Sequence, residues 1–121
     1  MNDVTYRVRG AAFRVHSFLG PGLLESVYEI CLAHELAKEG MRVERQRSLP
    51  VHYDGIDLQT GYRLDLVVEN RLIIELKATK QLTPTDVAQL LTYMKLSRIR
   101  LGLLMNFNVA KMKDGIRRYI L

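Results

Sequence analysis

Asp65, Glu75 and Lys77 are the residues of this chain whose types and spacing best fit joint chemistry. Glu75 and Lys77 stand two apart in Leu72-Ile73-Ile74-Glu75-Leu76-Lys77, an otherwise apolar run that reads as a central strand covered on both faces. Residues two apart on a strand share a face. Charges in such a place are costly unless they are paired or bind metal. Register brings in Asp65. If Glu69-Asn70-Arg71 form a three-residue hairpin loop, Val68 pairs with Leu72 and Asp65 falls opposite Glu75. Asn tolerates the left-handed conformation that such loops need. A two-residue loop would send Asp65 to the other face.

Two facing carboxylates repel each other and need a cation or a shared proton. Oxygen ligands of this kind suit Mg²⁺ or Mn²⁺. Phosphodiester cleavage uses such a set: the cation polarises the phosphate and makes hydroxide available, while a lysine orients water or stabilises charge on the phosphate. On spacing alone the alternative stays open that Asp65, Glu75 and Lys77 form a buried ion network with no chemistry.

Helical positions add candidates. Gly22-Leu23-Leu24-Glu25-Ser26-Val27-Tyr28 puts Glu25 in the first turn of a helix. An acid there favours the helix dipole, and it is also available as a third carboxylate for the same metal. Tyr28 lies three residues on, on the same side, where a hydrogen bond to Glu25 is expected. Gln89 and Tyr93 are four apart on a later helix and stack on one face, off the apolar stripe of Val87, Leu90, Leu91 and Met94. That pair is surface decoration unless its face looks onto the carboxylates. Glu25 and Gln89 are both expected to approach Asp65 and Glu75 from helices.

Other chemistries find no support. His16, His34 and His52 share no ligand spacing, which argues against zinc. Gly20-Pro21-Gly22 lacks the Lys-Ser/Thr of a phosphate loop. Cys31, the single cysteine, sits among Val27, Ile30 and Leu32 and reads as a small hydrophobe.

The elements that must position these residues follow from the pattern. Val4, Val8, Ala11, Ala12, Val15, Phe18 and Leu19 recur at helical spacing until Gly20-Pro21-Gly22. A second helix is expected from about Leu23 to Glu39, with Gly40 as its stop. Val43, Leu49, Val51 and Tyr53 suggest extended chain, and Asp54-Gly55 a hairpin turn. Strands are expected over Gly61–Val68, Leu72–Lys77 and Arg100–Phe107. Thr83-Pro84-Thr85-Asp86 starts the third helix. Ile116–Leu121 closes the chain. Helix, helix, three or four strands, helix, strand predicts an α/β fold: one mixed central β-sheet flanked by helices, in a single domain over 1–121.

The chain has 121 residues, 48% hydrophobic and 26% charged, enough to bury a core without disulfides. No apolar run approaches a membrane span, and Met1 to Thr5 carry no signal-peptide pattern, so a cytoplasmic protein with no membrane partner is expected. A net charge of +5 attracts polyanions, nucleic acid first. Arg42, Arg45, Arg47, Arg98, Arg100, Lys111, Lys113, Arg117 and Arg118 are the main basic groups, available to grip phosphates or simply solvated.

With these residues laid out, the chain resembles the GxxExxY proteins of the PD-(D/E)xK nuclease superfamily. Gly22 to Tyr28 is similar to the signature. Asp65, Glu75-Leu76-Lys77 and Gln89-Leu90-Leu91-Thr92-Tyr93 look like the superfamily's acid, its E-x-K strand and a Q-x-x-x-Y helix. Asn106-Phe107 and Lys113-Asp114-Gly115-Ile116 look like the C-terminal pattern. Leu64 precedes Asp65 where proline is common in the superfamily. The resemblance implies a restriction-endonuclease-like core and a divalent-metal nuclease. Glu25, Asp65 and Glu75 would bind Mg²⁺ or Mn²⁺, Lys77 would be catalytic, and Gln89, Tyr93 and Tyr28 would support site or substrate. DNA is the expected substrate ahead of RNA, and a homodimer the expected way for so small a core to reach both strands. The alternative is a non-cleaving nucleic-acid-binding module, or a subunit of a larger assembly, that keeps the fold.

Overall fold

A computed structural model describes residues 2–59 and 61–121, with the backbone alone at Asn2. Met1, at the head of the stretch read for a signal peptide, lies outside them. Helix α1 (Asn2–Leu19) buries Val8, Ala11, Ala12 and Val15, the i, i+3, i+4, i+7 positions of one face. It ends as expected at the Gly20-Pro21-Gly22 break, where Gly20 N–H donates to His16 O at 2.8 Å. Helix α2 (Glu25–Lys38) starts two residues later than the pattern suggested, so Glu25 is its first residue. It closes with Gly40 N–H on Ala37 O and Met41 N–H on Leu36 O, the paired bonds of a Schellman stop.

Five strands precede the third helix, one more than expected: β1 (Val43–Ser48), β2 (Val51–Tyr53), β3 (Ile56–Leu58), β4 (Arg63–Val68) and β5 (Leu72–Lys77). Strands β2 and β3 form a two-stranded ribbon apart from the main sheet, turned as expected at Asp54 and Gly55, both at positive φ (49° and 78°) as a type I′ turn requires. Helix α3 (Pro84–Ser97) starts on the expected signal: Thr83 Oγ1 accepts from Asp86 N–H, and the Asp86 carboxylate accepts from Thr83 N–H. Strand β6 (Leu101–Asn106), a 3₁₀ turn (Met112–Gly115) and β7 (Ile116–Ile120) complete the chain.

The main sheet runs β1-β4-β5-β6-β7, mixed as predicted, because β5 and β6 are parallel and the other pairs antiparallel. Helix α3 is the crossover a parallel pair needs. Two cores cover the sheet. Helices α1 and α2 pack on Leu72, Ile74 and Leu76, and α3 packs on Ile73 through Leu90 and Met94. Strand β5 is thus central and covered on both sides, which explains its almost unbroken apolar sequence. Tyr93 differs from the expectation. It is 8% exposed and belongs to the α3 core, because the sheet is wide enough to receive more of the helix than the Val87/Leu90/Leu91/Met94 stripe.

Candidate active site

The β4–β5 hairpin builds the centre of the site. Glu69, Asn70 and Arg71 form the three-residue loop, with Glu69 and Asn70 left-handed at φ 53° and 54°. Val68 pairs with Leu72, then Val67 with Ile73 and Leu66 with Ile74. One step further, Asp65 faces Glu75, as the register argument required. There the strands stop exchanging main-chain bonds. Leu76 N–H donates to Asp65 Oδ2 at 2.9 Å, and Asp65 N–H points at Glu75 Oε1 at 3.4 Å. The carboxylates fill the gap that opens between β4 and β5.

Glu75 is 4% exposed. Its carboxyl is pushed up to about 9, chiefly by burial and then by the charge of Asp65 and a hydrogen bond with it. The protein without a cation therefore meets the repulsion by keeping a proton on Glu75.

Lys77 follows on the same face. Its Nζ lies 3.3 Å from Gln89 Oε1 and 3.8 Å from Asp86 Oδ1. The first turns of α3 thus hold the ammonium, and Gln89 does look onto the site. Tyr93 lies one turn beyond Gln89. Its phenol is raised by burial first and then by the charge of Glu75, and its ring tilts against Tyr62 with 6.0 Å between centroids.

From the other side comes α2. Glu25 feels the charges of Asp65 and Lys77, and its carboxyl is raised by desolvation first and by Asp65 second. Tyr28 does not bond Glu25. Helical side chains lean toward the N-terminus, so its buried ring reaches past the first turn. Its O–H donates to Gly20 O at 2.6 Å and accepts from Leu23 N–H at 3.1 Å, and the ring stacks on Phe107 at 4.6 Å. Tyr28 supports Glu25 by tying down the loop that delivers it.

Four further residues at the site were not assigned to it from the sequence. Glu29, 4% exposed, accepts from Gln46 Nε2 at 2.7 Å and Arg45 Nε at 3.2 Å. The same Gln46 amide reaches Asp65 Oδ1 at 3.4 Å. Glu29 is one turn after Glu25, a spacing that was a usable signal. Gln46 could be found only from the β1–β4 register, which skips it between Arg45↔Leu66 and Arg47↔Leu64. Asp86 was legible as a cap but not as a neighbour of Lys77. Asn106, 3% exposed, clamps the chain beyond Lys77: its Oδ1 accepts Thr79 N–H at 3.1 Å and its amide donates to Thr79 O at 2.9 Å.

Among the described residues, no three His, Cys, Asp or Glu side chains form a ready-made metal cage. The donor set nevertheless fits a hard cation. Mg²⁺ commonly takes one or two carboxylates and fills its shell with water and substrate phosphate. An acid pair whose buried member, Glu75, must otherwise keep a proton is such a donor set.

A five-stranded mixed sheet flanked by helices, with an acid pair and a lysine where β4 and β5 part, defines a restriction-endonuclease-like α/β protein. A family comparison matches the PD-(D/E)XK nuclease superfamily over residues 2–119, and the chain belongs to that superfamily. Nucleases of this kind generally use divalent metals. No curated protein and no solved structure matched the chain.

Proposed function

We propose that the protein is a divalent-metal-dependent nuclease of the GxxExxY type, hydrolysing phosphodiester bonds in nucleic acid, DNA ahead of RNA. The observation that carries this reading is the Asp65–Glu75 pair with Lys77 on the same strand face. Asp65 and Glu75 would hold Mg²⁺ or Mn²⁺, with Glu25, on the first turn of α2, as the third carboxylate recruited to the bound cation. A cation held there supplies Lewis acidity to the scissile phosphate and lowers the pKa of water. Lys77, steadied by Gln89 and Asp86, neutralises the charge that grows on the phosphate oxygens. Water forms the new bond to phosphorus, the bond to the leaving sugar oxygen breaks, and that oxygen ends with a proton from solvent. Tyr93, one turn beyond Gln89 on α3, and Tyr28, which fixes the loop before Glu25, support the site. Among the described residues, no helix is long and apolar enough to cross a membrane. Action in the cytoplasm, as a homodimer that addresses both strands, completes the proposal.

The test is cleavage of single- and double-stranded DNA and RNA by purified protein, with Mg²⁺ or Mn²⁺ and with chelator. Wild type should cut only with the cation. Lys77→Ala should still bind the cation but cut roughly 10²-fold or more slowly, the cost of losing one preorganised electrostatic group. Equal trace activity in both proteins would mean contamination, and a non-cleaving binding module would replace this reading.

A further inference from the structure

Helix α3 carries a second stripe beside the one it buries. Thr85, Ala88, Gln89, Thr92 and Leu96 follow at i, i+3, i+4, i+7 and i+11, and all of them are exposed. Tyr62, just ahead of β4, stands across from this stripe. The two line one groove of about 260 Å³, with Tyr93 as a further wall. Among the described residues that line it, none is charged, on a chain whose charged fraction is 26% and whose net charge is +5. The groove is smaller than the roughly 300–1,000 Å³ of a pocket that encloses a drug-sized ligand, which suits one flat ring system and not several.

Two contacts tie the groove to the candidate active site. Gln89 lines the groove, and its Oε1 accepts from Lys77 Nζ at 3.3 Å. One side chain therefore separates the groove from the ammonium that would meet the scissile phosphate. Tyr93 backs the Tyr62 ring at 6.0 Å between centroids, tilted by 49°, while Tyr62 stays 50% exposed. A half-exposed aromatic ring over an uncharged groove is a poor seat for phosphate and a good one for a flat ring. Thr85, Gln89 and Thr92 add hydroxyl and amide groups to meet the polar edge of such a ring. A nucleotide has both parts, an anionic phosphate and a flat base, one sugar apart.

We propose that this groove receives the nucleobase next to the scissile phosphate, stacked on Tyr62, and that an unpaired nucleic acid strand is therefore the substrate. The phosphate at Lys77 rests on the nuclease reading; the base rests on the groove. Stacking on an aromatic ring tolerates any base, because every base has a π-face. A base inside a duplex reaches such a groove only after unpairing and unstacking, whereas a single strand or a frayed end presents it at once. The uncharged stripe thus selects the state of the strand rather than its sequence.

The experiment measures binding by anisotropy in chelator, where nothing is cut, at one fixed salt concentration. A labelled single strand of about ten nucleotides is compared with its duplex and with a base-free strand of equal length, which keeps the phosphates and has an abasic sugar at every position. Wild type should bind the single strand roughly tenfold more tightly than the base-free strand, and more tightly than the duplex. Tyr62→Ala should lose the margin over the base-free strand. Tyr62→Trp should keep it, a rescue that a merely structural tyrosine would not show. Ala88→Leu, at an exposed helix position, fills the groove and should also lose the margin, with a thermal melt matching wild type. Cleavage with Mg²⁺ is measured alongside. If wild type cuts but the margin is absent, or survives in Tyr62→Ala and Ala88→Leu, or the duplex binds as tightly as the single strand, the base site is overturned and the nuclease reading stands. If the margin behaves as expected and nothing is cut, the groove stands as a base site and the nuclease reading falls. If wild type binds none of the strands and cuts none, both fall together.

Discussion

The Asp65 carboxylate accepts the Leu76 backbone N–H at 2.9 Å, in the gap where a continued β4–β5 ladder would have placed main chain. A side chain that completes a sheet's hydrogen bonding is locked by the sheet. Its other oxygen faces Gln46, which Glu29 holds in turn. Asp65 is thus preorganised by its neighbours.

Glu75 makes the stability of the cation-free protein depend on pH. Its folded-state value of about 9 lies above the ordinary 4.5. A raised acid contributes stability fully below the ordinary value and loses it as pH climbs toward the raised one, because only the unfolded chain sheds the proton. Thermal melts in chelator should therefore fall in midpoint from about pH 5 to pH 9. Glu75→Gln should flatten that slope, and Mg²⁺ should restore wild type at the alkaline end. Identical slopes in the two proteins would show that Glu75 is not the group responsible.

Tyr28→Phe should lower stability by about 1–2 kcal/mol, since it leaves Gly20 O and Leu23 N–H without their buried partner. Ring stacking on Phe107 is retained. Amide exchange should speed up over Gly20–Leu24, and cleavage should drop through loosened placement of Glu25. Unchanged exchange in that loop would mean that the tyrosine hydroxyl does not hold it.

Asn106 and Gly115 meet at the end of β6. A Cβ on Gly115 would lie 2.1 Å from Asn106 O, a backbone atom with no room to move. Gly115→Ala should cost more than about 2 kcal/mol, as overpacking against rigid main chain does. Asn106→Ala leaves the Thr79 N–H and C=O without their clamp and should cost roughly 1–3 kcal/mol. Both should reduce kcat more than cation affinity, because they loosen the chain after Lys77. Denaturant melts with cation titration separate the two effects.

Asp86→Ala should lower the melting midpoint modestly, at a cost of about 0.3–1 kcal/mol, because it loses the carboxylate half of the capping box while the Thr83 hydroxyl still accepts the residue 86 N–H. It should slow cleavage less than Lys77→Ala does, because the lysine keeps Gln89. A variant as inactive as Lys77→Ala would give Asp86 a direct part in the chemistry.

Local sequence carried much of this site, and long-range register carried the rest. The pairing of Asp65 with Glu75 was legible because a hairpin loop only three residues long fixes it. The α3 start was legible because caps are local chemistry. Gln46 was not, because its place beside Asp65 depends on pairing between β1 and β4 across the β2–β3 ribbon. Tyr28 was assigned to the wrong partner: spacing gave its side of the helix, while its direction along the axis took it to Gly20. Tyr93 was read as off the core because the width of the sheet under α3 is not written in the helix.

The parallel pairing of β5 with β6 bears on how the chain leaves a ribosome. Asp65, Glu75 and Lys77 are synthesised well before residues 101–106 emerge to cover the second edge of β5. Until then Leu72, Ile73, Ile74 and Leu76 form an open edge, the kind of strand on which other chains can grow. A nascent chain at that stage holds every candidate catalytic side chain but not the sheet that aligns them. It is most exposed to aggregation just before β6 appears.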